Sequence, residues 1–297
     1  MPTSQPIFQT VGIIGKKRDA RVGPTLARLA ALLRNLDCTV LVDAASADHI
    51  DDPSCRYATV EELGARCNLV VVVGGDGTLL AAARALAHTV VPILGINQGR
   101  LGFMVDVNPD EMEATLTQIF AGDYVREERL LLNARIVRGD GNSDGPFLAI
   151  NDVVIRNQAA VRMLDFSTWI GNEFISQHRA DGIIVSTPTG STAYALSGGG
   201  PVLHPSLQAL ALVPICPHTL SDRPIVVGSD RTVRIVLGGG EGTRAMFTCD
   251  GQTNESINPG DAIEISRAKE ALRLIHPANY NYFNILRNKL HWGRAPA

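Results

Sequence analysis

Val70-Val-Val-Val-Gly-Gly-Asp-Gly-Thr78 reads as a strand that runs straight into a turn and then into a helix. The apolar run Leu69 to Val73 is continuous rather than alternating, as expected for a parallel strand covered on both faces. Leu79 to His88, rich in alanine and leucine, is expected to be helical. Glycines at 74, 75 and 77 are expected to permit backbone angles and close approaches that a Cβ forbids, so the turn can offer N–H groups to phosphate. A helix beginning near Thr78 adds its positive end. Asp76 would repel a phosphate, so it suits a base for a hydroxyl or a group that interacts with a metal ion. The same segment also fits a plain tight turn with Asp76 as a helix cap.

Outward from this segment, the first third of the chain alternates strand and helix. Val11 to Gly15, Thr39 to Val42 and Val90 to Ile96 have strand character. Leu26, Leu29, Ala30, Leu33 and Leu36 recur at helical spacing after Pro24, and Asn108-Pro109 is expected to open a helix running to about Ala121. This predicts an open, mostly parallel, Rossmann-like α/β layer over residues 1–128. From about Leu130 short β-like segments take over: Leu131 to Val137, Phe147 to Ile155, Leu164 to Ile170, Ile183 to Ser186, Ile225 to Val227 and Thr232 to Leu237. That spacing suits an all-β, sandwich-like domain over 129–270, with Gly139 to Gly145 as a hairpin tip. The remainder, 271–297, is expected to be a helical segment that packs back on a domain surface through Tyr282, Phe283, Leu286 and Leu290.

Bulk properties narrow the function classes. With 27 basic and 30 acidic residues the net charge is −3, and no Lys/Arg-rich run of the kind a non-specific nucleic-acid binder shows stands out. The longest apolar stretches fall far short of the ~20 residues that cross a bilayer. The first residues lack the charged start and apolar core of a signal segment. Five cysteines without a Cys-x-x-Cys pair argue against a disulfide framework and a zinc site, which makes a cytoplasmic location the expectation.

A second informative stretch is Gly182-Ile-Ile-Val-Ser-Thr-Pro-Thr-Gly-Ser-Thr-Ala-Tyr194. Ser186, Thr187, Thr189, Ser191 and Thr192 flank Pro188 and Gly190, and hydroxyls both donate and accept, so the string suits a base edge, a ribose or a phosphate. Here the chain resembles a known family. The Gly-Gly-Asp-Gly-Thr segment is similar to one shared by NAD kinases, diacylglycerol and sphingosine kinases and, more loosely, phosphofructokinases. The run Asp181 to Tyr194 resembles NAD kinases in particular, as do Gly95 to Phe103, Gly198 to Pro201, Pro214 to Pro224 and His276 to Phe283. The resemblance spans about Val11 to Trp292.

The resemblance implies a kinase that moves the γ-phosphoryl of ATP to the 2′-hydroxyl of the adenosine ribose of NAD, with a divalent cation, Mg²⁺, and a homodimeric or homotetrameric assembly. Asp76 would be the general base, with Gly77 beside it and Gly74, Gly75 and Thr78 completing the phosphate loop. Asn151 and Asp152 stand where the family usually has Asn-Glu and would contact the adenosine half; Asp152 is one methylene shorter. Asp181 would hold the nicotinamide carboxamide. Thr189, Thr192, Ala193, Tyr194, Ala195, Leu196 and Ser197 would line the dinucleotide cleft, and Arg162, Arg179 and Gln252 would add further contacts. Arg179 is expected to favour NAD over NADH. Simple repulsion would favour the uncharged ring, so the arginine is expected to act by pairing with an acid such as Asp181. No residue is singled out as a metal ligand. Neither a Gly-x-x-x-x-Gly-Lys-Ser/Thr loop nor a His-Arg-Asp loop is present, and the first strand ends Gly-Lys-Lys-Arg rather than in a dehydrogenase turn.

Overall fold

The computed structural model describes residues 7–50, 55–99, 102–158, 163–219, 221–240 and 243–292. The chain forms two compact units, one of residues 1–128 with 272–297 and the other of 129–271.

In the first unit β1 (Thr10–Gly15), α1 (Gly23–Asn35), β2 (Thr39–Asp43), β3 (Arg56–Ala58), α2 (Val60–Arg66), β4 (Leu69–Gly74), α3 (Asp76–Leu86), β5 (Ile93–Asn97) and α4 (Met112–Phe120) follow one another. The strands pair in parallel in the order β5-β4-β1-β2-β3, with Val71 beside both Ile13 and Leu94. Val11, Ile13, Val71 and Val73 share a core with Leu26, Leu29 and Leu33 of α1 and with Met112, Leu116 and Ile119 of α4. Each such side chain contributes about 1.5–3 kcal/mol by leaving water, which explains why β4 carries no polar residue before its glycine.

Three boundaries differ from the sequence expectation. The helix after the glycine turn starts at Asp76, with Gly75 as its N-cap, so Asp76 is not the cap. The helix after Asn108 starts only at Met112, because the Asn108 side chain accepts from the Asp110 amide at 3.1 Å and holds a turn first. Strand β5 begins at Ile93, and Val90 before it is 77% exposed. The sequence reading had also passed over α2, whose Thr59 and Glu62 form a reciprocal capping box.

Strand β6 (Tyr124–Val137) leads into the second unit, followed by β7 (Ser143–Ala149), β8 (Asp152–Asn157), β9 (Leu164–Ile170), β10 (Glu173–Ala180), β11 (Gly182–Ser186), the short helix α5 (Tyr194–Ser197), β12 (Ala209–Ile215), β13 (Ile225–Gly228), β14 (Val233–Leu237), β15 (Ala245–Cys249), β16 (Glu255–Ile257) and β17 (Ala262–Pro277). One antiparallel sheet runs β13-β12-β11-β8-β15-β16, while β10, β9, β14 and the first part of β17 form another antiparallel set. Val153, Ile155, Ile183 and Phe247 from the first meet Phe166, Ile235 and Ile263 from the second in a common core, a sandwich-like arrangement. The stretch expected as one strand, Phe147 to Ile155, is two, broken at Ile150 and Asn151.

The last residues of β17, Leu274 and Ile275, pair in parallel with Ile93 and Leu94 of β5, so residues 271–277 are strand rather than helix. Helix α6 (Tyr282–Leu290) then buries Tyr282, Ile285 and Leu286. Phe283, expected on that face, is 57% exposed, and Ile285 takes its place because it falls three residues after Tyr282. No helix among the described residues is long and apolar enough to cross a membrane.

Candidate active site

In the first unit the glycine turn opens into a cavity of about 570 Å³ lined by Gly75, Gly77, Thr78, Lys16, Lys17 and Gln98, with Ala81, Ala82 and Ala85 of α3 as an apolar wall. None of the turn's glycines has a positive φ. Only Gly74 is sterically confined, since a Cβ there would come within 2.7 Å of Thr78 Cβ; Gly75 and Gly77 meet nothing within 4 Å. The protein itself therefore makes no steric demand for glycine at 75 or 77, and the room they leave faces outward.

Asp76, at the first turn of α3, turns its carboxylate toward the loop after β5. Oδ2 accepts from the Phe103 amide at 2.8 Å and Oδ1 from the Met104 amide at 3.0 Å. Gly102 makes this seat possible: a Cβ there would press on Asp76 Oδ1 and Val105 Cγ2 and stand 2.7 Å from Asp76 Cγ. A carboxylate has about four lone-pair sites, so accepting from these amides leaves capacity for a further donor. Lys289 of α6 lies over the Phe103 ring at 5.8 Å, which ties the C-terminal helix to the same loop. Nothing in the sequence pointed to this seat, although Gly102 lies within the run Gly95 to Phe103.

In the second unit a cavity of about 360 Å³ is lined by Asn151, Asp152, Ala193 and Tyr194 together with Arg156, Thr248, Asp250 and Asn254. Asp152 is 5% exposed. Burial, and then the neighbouring Asp250 charge, push its carboxyl up to about 7. The backbone at 150–152 is clamped from two sides. Ile150 O accepts from the Thr187 hydroxyl at 2.6 Å and Asn151 O from the Thr187 amide at 2.9 Å. Gly190 lies so close that a Cβ there would stand 2.7 Å from Asn151 Cα. The Thr-Pro-Thr-Gly turn and the Asn-Asp turn thus meet backbone to backbone, which accounts for both the break between β7 and β8 and the glycine at 190.

The hydroxyl string is less available than its composition suggested. Ser186, Thr187 and Ser191 are fully buried. Their hydroxyls donate to Thr187 O, Ile150 O and Pro188 O, and Ser191 Oγ accepts from the Leu203 amide at 2.9 Å. They build the loop, because a buried hydroxyl without a partner costs about 1–3 kcal/mol. Thr189 is 8% exposed and accepts at 3.4 Å from Nη1 of Arg129, a fully buried arginine the sequence reading overlooked. Thr192, Ala193 and Leu196 are half-buried, Ala195 is buried, and Tyr194 and Ser197 are exposed.

Arg179 is 65% exposed at its side chain and pairs loosely across the β9–β10 ladder with Asp165, Nε to Oδ1 at 4.0 Å. This corrects the expected pairing with Asp181: the antiparallel register sets Asp165 directly opposite Arg179, while Asp181 lies past the end of β10, exposed. Gln252 is exposed in the turn after β15, and Arg162 lies outside the described residues. Among the described residues no three His, Cys, Asp or Glu side chains converge as a metal site would require.

Two family models match the chain, the ATP-NAD kinase N-terminal domain over residues 11–124 and the ATP-NAD kinase C-terminal domain over 150–277. The NAD kinases of Teredinibacter turnerae and Hahella chejuensis are each 45% identical to it, the first over 96% of this chain and 97% of its own, the second over 96% of both. Among solved structures, yeast NADH kinase complexed with NADH superposes with a TM-score of 0.88 at 23% identity, covering 99% of this chain and 90% of its own. An NAD kinase from Archaeoglobus fulgidus in complex with ATP gives 0.74 at 26% identity, covering 95% and 99%. With both halves of the chain matched and curated relatives aligned along nearly its whole length, the protein is a kinase that belongs to the NAD kinase family.

Proposed function

We propose that this enzyme transfers the γ-phosphoryl group of ATP to the 2′-hydroxyl of the adenosine ribose of NAD, giving NADP and ADP, with Asp76 as the general base. The observation that carries the reading is the seating of Asp76: a carboxylate fixed by the Phe103 and Met104 amides, at the head of α3, beside a glycine turn with open space around Gly75 and Gly77. Phosphoryl transfer asks a protein chiefly to hold reactants in line and to stabilise spreading charge. The glycine turn and the N-terminus of α3 meet the triphosphate with N–H groups, and Lys17, lining the same cavity, adds a cation. Asp76 takes the proton of the attacking hydroxyl as the O–P bond forms, once the ribose lies within hydrogen-bond reach.

Asn151, Asp152, Ala193 and Tyr194 hold the adenosine half in the cavity they line. Asp152, with its carboxyl near 7, either donates to or accepts from a ribose hydroxyl. Mg²⁺ would have to be held chiefly by the nucleotide's own phosphates, since among the described residues no three His, Cys, Asp or Glu side chains converge, with Asp43 in the lining of the cavity and Asp76 beside the glycine turn as nearby acids within this unit. It would supply charge neutralisation on the phosphates. A cytoplasmic homodimer or homotetramer belongs to the same reading and rests on the family resemblance; light scattering after size-exclusion chromatography tests the assembly. The activity is tested by ADP release from ATP and Mg²⁺ with NAD, with diacylglycerol and with neither. Release with NAD alone, accompanied by NADP, is expected; release that does not depend on NAD refutes the proposal.

A further inference from the structure

The cavity of the second unit owes its shape to a carboxylate that no motif of the sequence singled out. Asp250 sits in the turn after β15 with φ 50°, a left-handed conformation that costs most residues energy and suits Asn and Asp best after glycine. Its Oδ1 accepts from the amides of Ile150 at 3.1 Å, Asn151 at 2.7 Å and Asp152 at 3.2 Å, and its Oδ2 accepts from Ile150 at 3.0 Å. Its own amide donates back to Asp152 O at 3.0 Å. Successive backbone N–H groups converging on one carboxylate form an anion-binding concavity, and here the anion is part of the chain. Ile150 and Asn151 lie between β7 and β8, and Asp152 opens β8 opposite Ser186, so only at Asp152 does the strand ladder help to fix their direction.

We infer that Asp250 is a positioning residue for the dinucleotide: by gathering the amides of residues 150–152 it aims the Asn151 and Asp152 side chains into the cavity, and so sets the affinity for NAD without touching the phosphoryl transfer. The inference rests on the NAD kinase reading. Asp250 also lines the cavity beside Asp152, with Arg156, Tyr194 and Asn254 completing the polar wall. An amide in place of this carboxylate loses the charge and presents an NH₂ group to backbone donors, while asparagine keeps the left-handed backbone comfortable.

The test is steady-state kinetics and NAD titration calorimetry on the full chain carrying Asp250→Asn. The KM and Kd for NAD are expected to rise about tenfold, equivalent to ~1.4 kcal/mol, while the KM for ATP stays within twofold. Melting temperature is recorded alongside, because a residue that only stabilises the fold lowers it and leaves the affinity for NAD unchanged below melting; that outcome overturns the inference. Should Asp250→Asn fail to fold, Asp250→Glu serves instead, since it keeps the charge but moves it by one methylene off the amides of residues 150–152. The same selective loss of NAD affinity supports the inference, and an unmoved KM for NAD overturns it. A wild-type enzyme that makes no NADP sinks the functional reading itself, which is a different failure.

Discussion

Replacing Gly102 by alanine tests whether the loop after β5 exists to seat Asp76. The added methyl would collide with the Asp76 carboxylate, which the Phe103 and Met104 amides hold, and with Val105 Cγ2, which is fully buried and cannot yield. The softer partner is the carboxylate, which is half-buried and can swing toward water. Losing its amide bonds to solvent, plus the strain of overpacking, should cost about 1–3 kcal/mol of stability. The catalytic loss should reach the upper end of that range, because moving a reacting group by about 1 Å costs ~10²-fold, about 2.7 kcal/mol. The assay is NADP formation at saturating NAD and ATP, with thermal unfolding recorded in parallel. Turnover is expected to fall about 100-fold in a protein that remains folded at the assay temperature. In an Asp76→Asn background the same Gly102→Ala change should cost almost nothing further, since residues acting through one another are not additive. A Gly102→Ala enzyme that keeps turnover within about threefold of wild type, ~0.6 kcal/mol, would show that the seat is incidental.

Further expectations concern charge. His276, 1% exposed, lies between Asp106, 2.9 Å from Nδ1, and Glu127, 3.0 Å from Nε2; burial opposes its charge, but the hydrogen bonds its N–H groups donate to the two carboxylates raise its pKa. The stability it contributes is complete below its ordinary value of 6.5 and lost as pH rises through the raised one, so unfolding free energies at increasing alkaline pH should decline in wild type. His276→Ala, which leaves the acids facing each other, should cost about 3–5 kcal/mol at pH 6. Asp152 behaves in the same sense: its carboxyl, normally near 3.8, stands at about 7 in the fold, so stability present below about 4 is lost as pH rises toward 7. Asp152→Asn should flatten the melting temperature across that window, recovering at most about 4 kcal/mol at pH 8; an unchanged pH slope would contradict it. Arg179→Gly should leave the ratio of catalytic efficiencies for NAD and NADH within about threefold, since Arg179 faces Asp165 at 4.0 Å rather than Asp181, the acid through which it was expected to act. A larger shift would show that the guanidinium reaches the nicotinamide without Asp181.

The sequence carried the parallel layer because β4 and its neighbours are apolar without interruption, and a continuous apolar run followed by glycines has few other readings. It carried the sandwich-like second unit through the regular spacing of short β segments. It did not carry the break at Ile150 and Asn151, because the forces that make it act over long separations: Asp250 and Thr187 are distant in sequence and reach the turn only after folding. The hydroxyl string misled for a related reason, since a serine that ties a loop and one that meets a ligand look alike until their partners are known. The seat of Asp76 was not legible: Gly102 stands in the run Gly95 to Phe103, but that its φ is ordinary and that a Cβ there would meet the Asp76 carboxylate emerge only from the fold. Helix α2, by contrast, was legible through Thr59 and Glu62.

The measurement that bears most directly on the central claim compares wild type with Asp76→Asn in a reaction of NAD, ATP and Mg²⁺, reading the product by phosphorus NMR and NAD binding by calorimetry. The account predicts a 2′-phosphomonoester from the wild type, turnover lowered by about 10²- to 10⁴-fold in the variant, and NAD affinity within a few-fold of wild type. A phosphate on any other hydroxyl, or near-normal turnover by Asp76→Asn, would contradict it.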